Sequence, residues 1–253
     1  MDLVYYTVGC SSAYIDVLAL SLKSLRTSGY TGDVAVLCDE SFLSRCKAVM
    51  GDTVLYKTFP DSRTPEQASM NKLRIFELPD IENYERVLFL DSDILVHMDT
   101  STLFQRITDP GILYVYTETR NQEDHRNLMW GLQDYTPTEL HAFQNHGVHV
   151  FNAGCFAFAR DDTMKDHFLA IQYRVMQHTG SFFYEQSFMN VYFNTNGQTD
   201  RSLLTDANYV LSPQPGVSYP GHLVHFTGYP GNGATKLQRM QVYADLLGNL
   251  KCE

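Results

Sequence analysis

The sequence predicts a doubly wound α/β fold, a mostly parallel central sheet with helices on both faces, on three observations. Strand-like and helix-like patterns alternate through the first hundred residues. The strand candidates are short, unbroken apolar runs, as expected of strands covered on both faces. The fourth such run, ending Val87-Leu88-Phe89-Leu90, stops at Asp91-Ser92-Asp93, which puts two acids at the carboxyl edge of the sheet, where such folds bind their ligands.

Taken in order, Leu3 to Val8 reads as a buried strand, and after the turn Gly9-Cys10-Ser11-Ser12 the residues Val17, Leu18, Leu22 and Leu25 recur at helical spacing until Ser28-Gly29 stops them. Asp33 to Cys38 is a second strand. Ser41 is placed to cap a helix running to about Met50, and Thr53 to Phe59 is a third strand. Thr64-Pro65-Glu66-Gln67 combines a cap residue, a proline at the first helical position and a Gln three residues on, so a helix is expected from there to about Leu78. After the fourth strand the pattern loosens. The segment from Asn121 to Gly147 mixes charge, His and Trp130 without a period and reads as an insertion or loop over the site. Phe151 to Phe158 is again an apolar strand. Asp161 caps a helix with Met164, Phe168, Ile171, Val175 and Met176 on one face and Gly180 as terminator, and a shorter helix covers Glu185 to Phe193. Leu223 to Phe226 is a late strand, followed by a Gly-rich turn from Gly228 to Gly233 and a closing helix over about Ala234 to Leu247.

Composition excludes several classes. With 44% hydrophobic and 19% charged residues the chain folds around a sizeable core. Nineteen Lys+Arg against 29 Asp+Glu give a net charge of -10 with no basic run, which argues against a surface that tracks nucleic-acid phosphates. No stretch reaches the length of a membrane span, and Met1-Asp2 leads into a strand without a basic n-region, so the expected compartment is cytoplasmic. Cys10, Cys38, Cys46, Cys155 and Cys252 include no C-x-x-C pair and are expected to be reduced thiols acting as small hydrophobes.

Two carboxylates at i and i+2 on the end of a buried strand repel unless something positive holds them. A divalent metal is the natural answer. Oxygen ligands suit Mg²⁺ or Mn²⁺, and such ions combine a few carboxylates with phosphate oxygens, so the implied ligand is a diphosphate. The same pattern can also do no more than cap a turn.

Six segments in fixed order settle the context. They are Tyr5-Tyr6-Thr7 through Tyr14, Asn71-Lys72-Leu73-Arg74, Leu88 through Val96 with its Asp91-Ser92-Asp93, Phe151-Asn152-Ala153-Gly154, Glu185-Gln186-Ser187 and His225-Phe226-Thr227-Gly228. Together they resemble glycosyltransferase family 8, the glycogenin-like retaining enzymes of GT-A fold, over nearly the whole chain. The resemblance implies one Rossmann-like GT-A domain over residues 1–253, with 1–100 as the nucleotide-binding half and 101–253 as the acceptor and sugar half. It implies a nucleotide-sugar donor, usually a UDP-sugar, a glycan or other hydroxyl acceptor, and a Mn²⁺ ion, with Mg²⁺ as the substitute, held by Asp91, Asp93 and His225. An imidazole beside two carboxylates suits Mn²⁺ better than Mg²⁺.

By the same resemblance Thr7, Val8 and Tyr14 hold the base and ribose, Tyr14 by ring stacking. Lys72, Asp91, Ser92 and Gly154 meet the donor, and Asn152, Glu185 and Gln186 surround the reacting carbon. Glu185 stands where the family has Asp. Relatives follow His-x-x-Gly with Lys-Pro-Trp, whereas here Gly228 is followed by Tyr-Pro-Gly-Asn-Gly-Ala-Thr and only then Lys236. Gly228 and Lys236 are therefore the expected phosphate contacts, the first through backbone N–H groups. If Gln186 lies beneath the anomeric carbon it is a poor nucleophile, which favours front-face departure of the leaving nucleotide over a covalent intermediate, with Glu185 as the alternative nucleophile. Two other functions fit parts of the pattern. A D-x-D phosphatase would carry Thr or Val where Leu95 stands and would place its motif near the start of the domain. A non-catalytic sugar-binding module would keep the fold without the Asp91, Asp93, His225 and Gln186 set.

Overall fold

The computed structural model describes residues 1–117, 136–145, 150–178, 184–207, 209–227 and 233–247. Its larger sheet is built from β1 (Asp2–Val8), β2 (Asp33–Asp39), β3 (Leu55–Phe59), β4 (Arg86–Leu90), β6 (Leu113–Thr117), β7 (Phe151–Ala159) and β8 (Thr199–Asp200), in the order β3-β2-β1-β4-β7-β6-β8. A smaller sheet holds β5 (Ile94–Val96), β9 (Tyr209–Leu211) and β10 (Leu223–His225), in the order β5-β10-β9. In the larger sheet β1 runs parallel to β2 and β4, and β2 to β3, whereas β7 is antiparallel to both β4 and β6.

Alternation along β1 shows why the sheet is covered on both sides. Val4, Tyr6 and Val8 face Ile15, Leu18, Leu22 and Leu25 of α1 (Ala13–Thr27), while Leu3 and Tyr5 face Leu73, Ile75, Phe168 and Phe188. With side chains pointing alternately to opposite faces, an all-apolar strand needs a hydrophobic layer on each side. Phe89, Phe156, Phe158 and Phe168 pack by offset and edge contacts on the second side. α1 also closes the edge of the smaller sheet: Ser21 Oγ donates to the carbonyl of Ile94, and Ser24 Oγ accepts from the N–H of Val96 at 2.9 Å. No helix among the described residues is long and apolar enough to cross a membrane.

Three expectations about local structure change. The Thr64 cap forms, its hydroxyl accepting from Gln67 N at 3.3 Å, but Gln67 Oε1 reaches back to Arg63 N at 2.7 Å rather than to Thr64. The α-helix that follows, α3 (Pro65–Met70), then tightens into a 3₁₀ segment over Asn71–Glu77 with Arg74 out of helical geometry. Tertiary contacts hold the tightened segment: Tyr5 Oη donates to the carbonyl of Lys72 at 2.8 Å and Gln172 Nε2 to that of Leu73 at 2.8 Å. Ser41 is not the cap of α2 (Leu43–Met50); it lies in a 3₁₀ turn, Glu40–Phe42, and its N–H is taken by Asp61 Oδ1 at 2.9 Å. The late strand belongs to the smaller sheet and ends at His225. Gly180 and the turn 228–232 lie outside the described residues, as does most of the segment from Asn121 to Gly147, of which Pro137–Asn145 is helical.

Candidate active site

A cleft of about 500 Å³ opens at the carboxyl ends of β1 and β4. It is lined by Thr7, Val8 and Tyr14 from the first βα turn, by Lys72, and by Asp91, Ser92 and Asp93 after β4. Asn152 and Gly154 of β7, Glu185, Gln186, His225 and Lys236 complete the set. Every expected site residue among those described therefore meets in one place; Gly228 lies outside the described residues.

Backbone pairing brings the distant histidine to the acids. β10 is antiparallel to β5 with His225 opposite Ile94, and Phe226 N donates to Asp93 O at 2.9 Å. His225 Nε2 then lies 3.0 Å from Asp93 Oδ1 and 3.7 Å from Asp91 Oδ2. One ligand atom from each of Asp91, Asp93 and His225 can be chosen so that all lie within 4.8 Å of one another. β7, running against β4, starts beside them: Asp91 N donates to Gly154 O at 2.7 Å. A Cβ at Gly154 would sit 2.3 Å from His225 Cε1 and 2.6 Å from Asp91 Oδ2, so the glycine leaves open the cradle that these ligand atoms surround.

Electrostatics match that geometry. Lys72 is buried, not the solvated helix lysine its position alone would give; its ammonium meets Glu185 Oε1 at 2.7 Å and Asp91 Oδ1 at 3.4 Å and donates to Ala153 O at 3.3 Å. Desolvation nevertheless outweighs Lys72 and pushes the Asp91 carboxyl up, with Asp93 adding to the push. Burial would also raise Asp93, but His225 and Lys236 outweigh it and hold Asp93 well below the usual carboxylate range. Two carboxylates and an imidazole converging on one point, an oxygen, oxygen and nitrogen donor set, fit a divalent transition ion. Glu185 Oε2 is buried with no hydrogen-bond partner among the described residues, unusual for a buried acceptor.

The helix Glu185–Thr195 is keyed to the start of β7 by two side chains one turn apart. Gln186 Oε1 accepts from Ala153 N at 2.9 Å, and Asn190 brackets Phe151 through N at 2.8 Å and O at 2.9 Å. Gln186 is thereby fixed at the cleft wall with its carbonyl oxygen engaged. Asn152 Oδ1 accepts from Gly154 N at 2.8 Å. Tyr14 packs partly on the core, and Lys236 Nζ lies 5.6 Å from its ring centroid.

Several contributors escape sequence reasoning. Asp39, at the carboxyl end of β2, accepts from Cys10 N at 2.7 Å and Ser62 Oγ at 2.8 Å and holds the first βα turn, where Cys10 adopts φ 63°. The strand-end rule that singles out Asp91 applies to it equally. Tyr184, at φ 52°, lines the cleft next to Glu185, and Tyr209 bonds His225 Nδ1; no local pattern marks either. Cys38, Cys46 and Cys155 are buried free thiols as expected, but Cys10 is exposed at the cleft.

The family model for glycosyl transferase family 8 matches residues 38–202, well over half of the chain. The chain belongs to glycosyltransferase family 8. Its class of reaction is accordingly glycosyl transfer. The galactosyltransferase LgtC, solved with donor and acceptor sugar analogues, is similar with a TM-score of 0.65 at 17% identity, covering 100% of this chain and 97% of that one. The bifunctional glycosyltransferase WbbM gives 0.62 at 13% over 97% of this chain and 51% of its own. A glycosyltransferase that acts in glycosylation of the major capsid of PBCV-1 gives 0.57 at 15%, over 95% and 98%. At these identities the likeness establishes the fold, GT-A. No curated protein sequence matches the chain.

Proposed function

We propose that this family 8 enzyme is a metal-dependent retaining transferase that moves a sugar from a nucleotide-sugar donor, a UDP-sugar, to a hydroxyl of a glycan or similar acceptor. The observation that carries the reading is the convergence of Asp91, Asp93 and His225 on the Gly154 cradle at the wall of the cleft. Those three residues would hold Mn²⁺, with Mg²⁺ as a substitute. Bound there, the ion supplies Lewis-acid stabilisation of the leaving nucleotide diphosphate.

The chain's own residues divide the remaining work. Thr7, Val8 and Tyr14 receive the base and ribose, and Ser92 and Gly154 line the diphosphate path; Gly228, the other expected phosphate contact, lies outside the described residues. Lys72 keeps Asp91 and Glu185 in place through its paired contacts and presents positive charge to the donor. Asn152 offers both donor and acceptor atoms to sugar hydroxyls. Gln186, with its oxygen engaged by Ala153, presents an amide and no nucleophile to the anomeric carbon. That supports departure and attack on one face through an oxocarbenium-like transition state. Residues 1–100 then form the nucleotide side, and the rest of the single domain adds the sugar and acceptor side.

A panel of nucleotide sugars tested by thermal shift, with and without Mn²⁺, fixes base and sugar together, since ligands that bind the native state raise Tm. Release of UDP and free sugar from the stabilising donor in the presence of Mn²⁺ confirms transferase chemistry. Stabilisation without release marks a binding module, and inorganic phosphate from simple esters marks a phosphatase.

A further inference from the structure

Each aspartate of the Asp91, Asp93 and His225 set carries an ammonium on one of its oxygens. Lys72 Nζ lies 3.4 Å from Asp91 Oδ1, and Lys236 Nζ donates to Asp93 Oδ2. The two lysines are held very differently. Lys72 has a side chain only 7% exposed; it is fixed further by Glu185 Oε1 and Ala153 O and lies 4.9 Å from the Phe89 ring centroid. The Lys236 side chain is 18% exposed and reaches Asp93 from the helix Gly233–Leu247, beside the face of Tyr14. A flexible four-carbon stem and a compact charge let such a lysine change partners.

Asp93 Oδ1 faces His225 Nε2 at 3.0 Å, the two ligand atoms that an ion would share, while Oδ2 of the same carboxylate accepts from Lys236. A divalent cation that takes Asp93 meets a resident cation on the same carboxylate. We propose that Lys236 is an exchangeable counter-cation, competing with the metal for Asp93 when no nucleotide is bound and moving onto the diphosphate when nucleotide and metal bind together. The inference rests on the reading of the site as a metal and diphosphate centre. The diphosphate offers the ammonium a new anionic acceptor, so the nucleotide withdraws the competitor as it brings its own oxygens to the ion. Metal and nucleotide then strengthen each other's binding, and by linkage the factor is the same in both directions.

The test is direct Mn²⁺ binding, read from the electron paramagnetic resonance signal of the free aqueous ion, with and without saturating UDP. Wild type is compared with Lys236→Met, which keeps the stem and removes the charge, and Lys236→Arg, which keeps the charge; circular dichroism verifies folding. Lys236→Met is expected to bind Mn²⁺ alone about tenfold more tightly than wild type, within the usual range of coupling factors, and to lose most of the enhancement by UDP. Lys236→Arg is expected to stay near wild type. Unchanged or weaker binding of Mn²⁺ alone by Lys236→Met overturns the exchange, as does an equal UDP enhancement in both proteins. Absence of Mn²⁺ binding in every protein, with or without UDP, overturns the metal reading itself and the exchange with it.

Discussion

The hydroxyl of Tyr209 bonds Nδ1 of His225, so that Nε2 is the nitrogen facing Asp93 at 3.0 Å. The contact arises because β9 lies parallel to β10, with Tyr209 opposite Leu223 and its side chain leaning along the strand toward His225. A partner on the far nitrogen fixes the ring orientation and tautomer of a ligating histidine. Tyr209→Phe is expected to weaken Mn²⁺ binding about tenfold or more while the fold persists, measured by calorimetric titration in the presence of UDP. Undiminished affinity would remove Tyr209 from the site.

Gly154→Ala tests the cradle. The added methyl lies 2.3 Å from His225, 2.6 Å from Asp91 and 2.7 Å from Asn152 Oδ1, and the two nearest of these neighbours are the ligating groups. Turnover is expected to fall about a hundredfold or more, the loss of one transition-state contact or greater, with circular dichroism unchanged. An active Gly154→Ala enzyme would show that the ligands can spread.

Asp93→Asn removes the charge on which His225 and Lys236 converge. Activity is expected to drop below detection in a Mn²⁺-supplemented donor hydrolysis assay, with the thermal transition still cooperative. Retained activity would refute the metal assignment.

Lys72→Met leaves Asp91 and the buried Glu185 without their shared counter-charge. Removing one member of a buried ionic set costs about 3–5 kcal/mol, so the urea midpoint is expected to fall sharply. Lys72→Met combined with Glu185→Gln is expected to recover part of that loss without recovering activity. A single variant as stable as wild type would mean that water reaches these carboxylates freely.

His97 predicts a pH dependence away from the catalytic acids. Desolvation lowers its pKa to about 4, and its Nε2 is buried with no hydrogen-bond partner among the described residues. The unfolded chain takes up this proton near its ordinary value of about 6.5, whereas the folded chain resists it. Stability is therefore intact above about 6.5, declines as pH falls, and levels off below about 4 as far as this group is concerned. Calorimetric Tm values between pH 7.5 and 4 are expected to fall less in His97→Phe than in wild type; parallel curves would exclude the assignment.

Much of this architecture is legible in the chain because it is written locally. The apolar runs of β1, β2 and β4 and the strand-end acids announce a covered sheet and its working edge. What is not legible depends on partners far away in sequence. The helix expected to reach Leu78 tightens in a segment that Tyr5 and Gln172 hold by two of its carbonyls, and nothing between Thr64 and Leu78 records those partners. Tyr209 and Asn190 earn their roles from strand register and a helix-to-strand contact. The run Leu113–Thr117 is different: its aromatic and β-branched residues carry a strand signal of the ordinary kind, absent from the expected elements although it needed no tertiary knowledge.

The reversed direction of β7 has an evolutionary corollary. Since Gly154 O meets Asp91 N, the polypeptide enters that strand at the rim where β4 leaves it. Additions or deletions upstream of Phe151 are thus delivered straight to the mouth of the cleft, without shifting the register of any strand. Lineages can retailor which molecules are admitted by changing the length of chain that leads into β7.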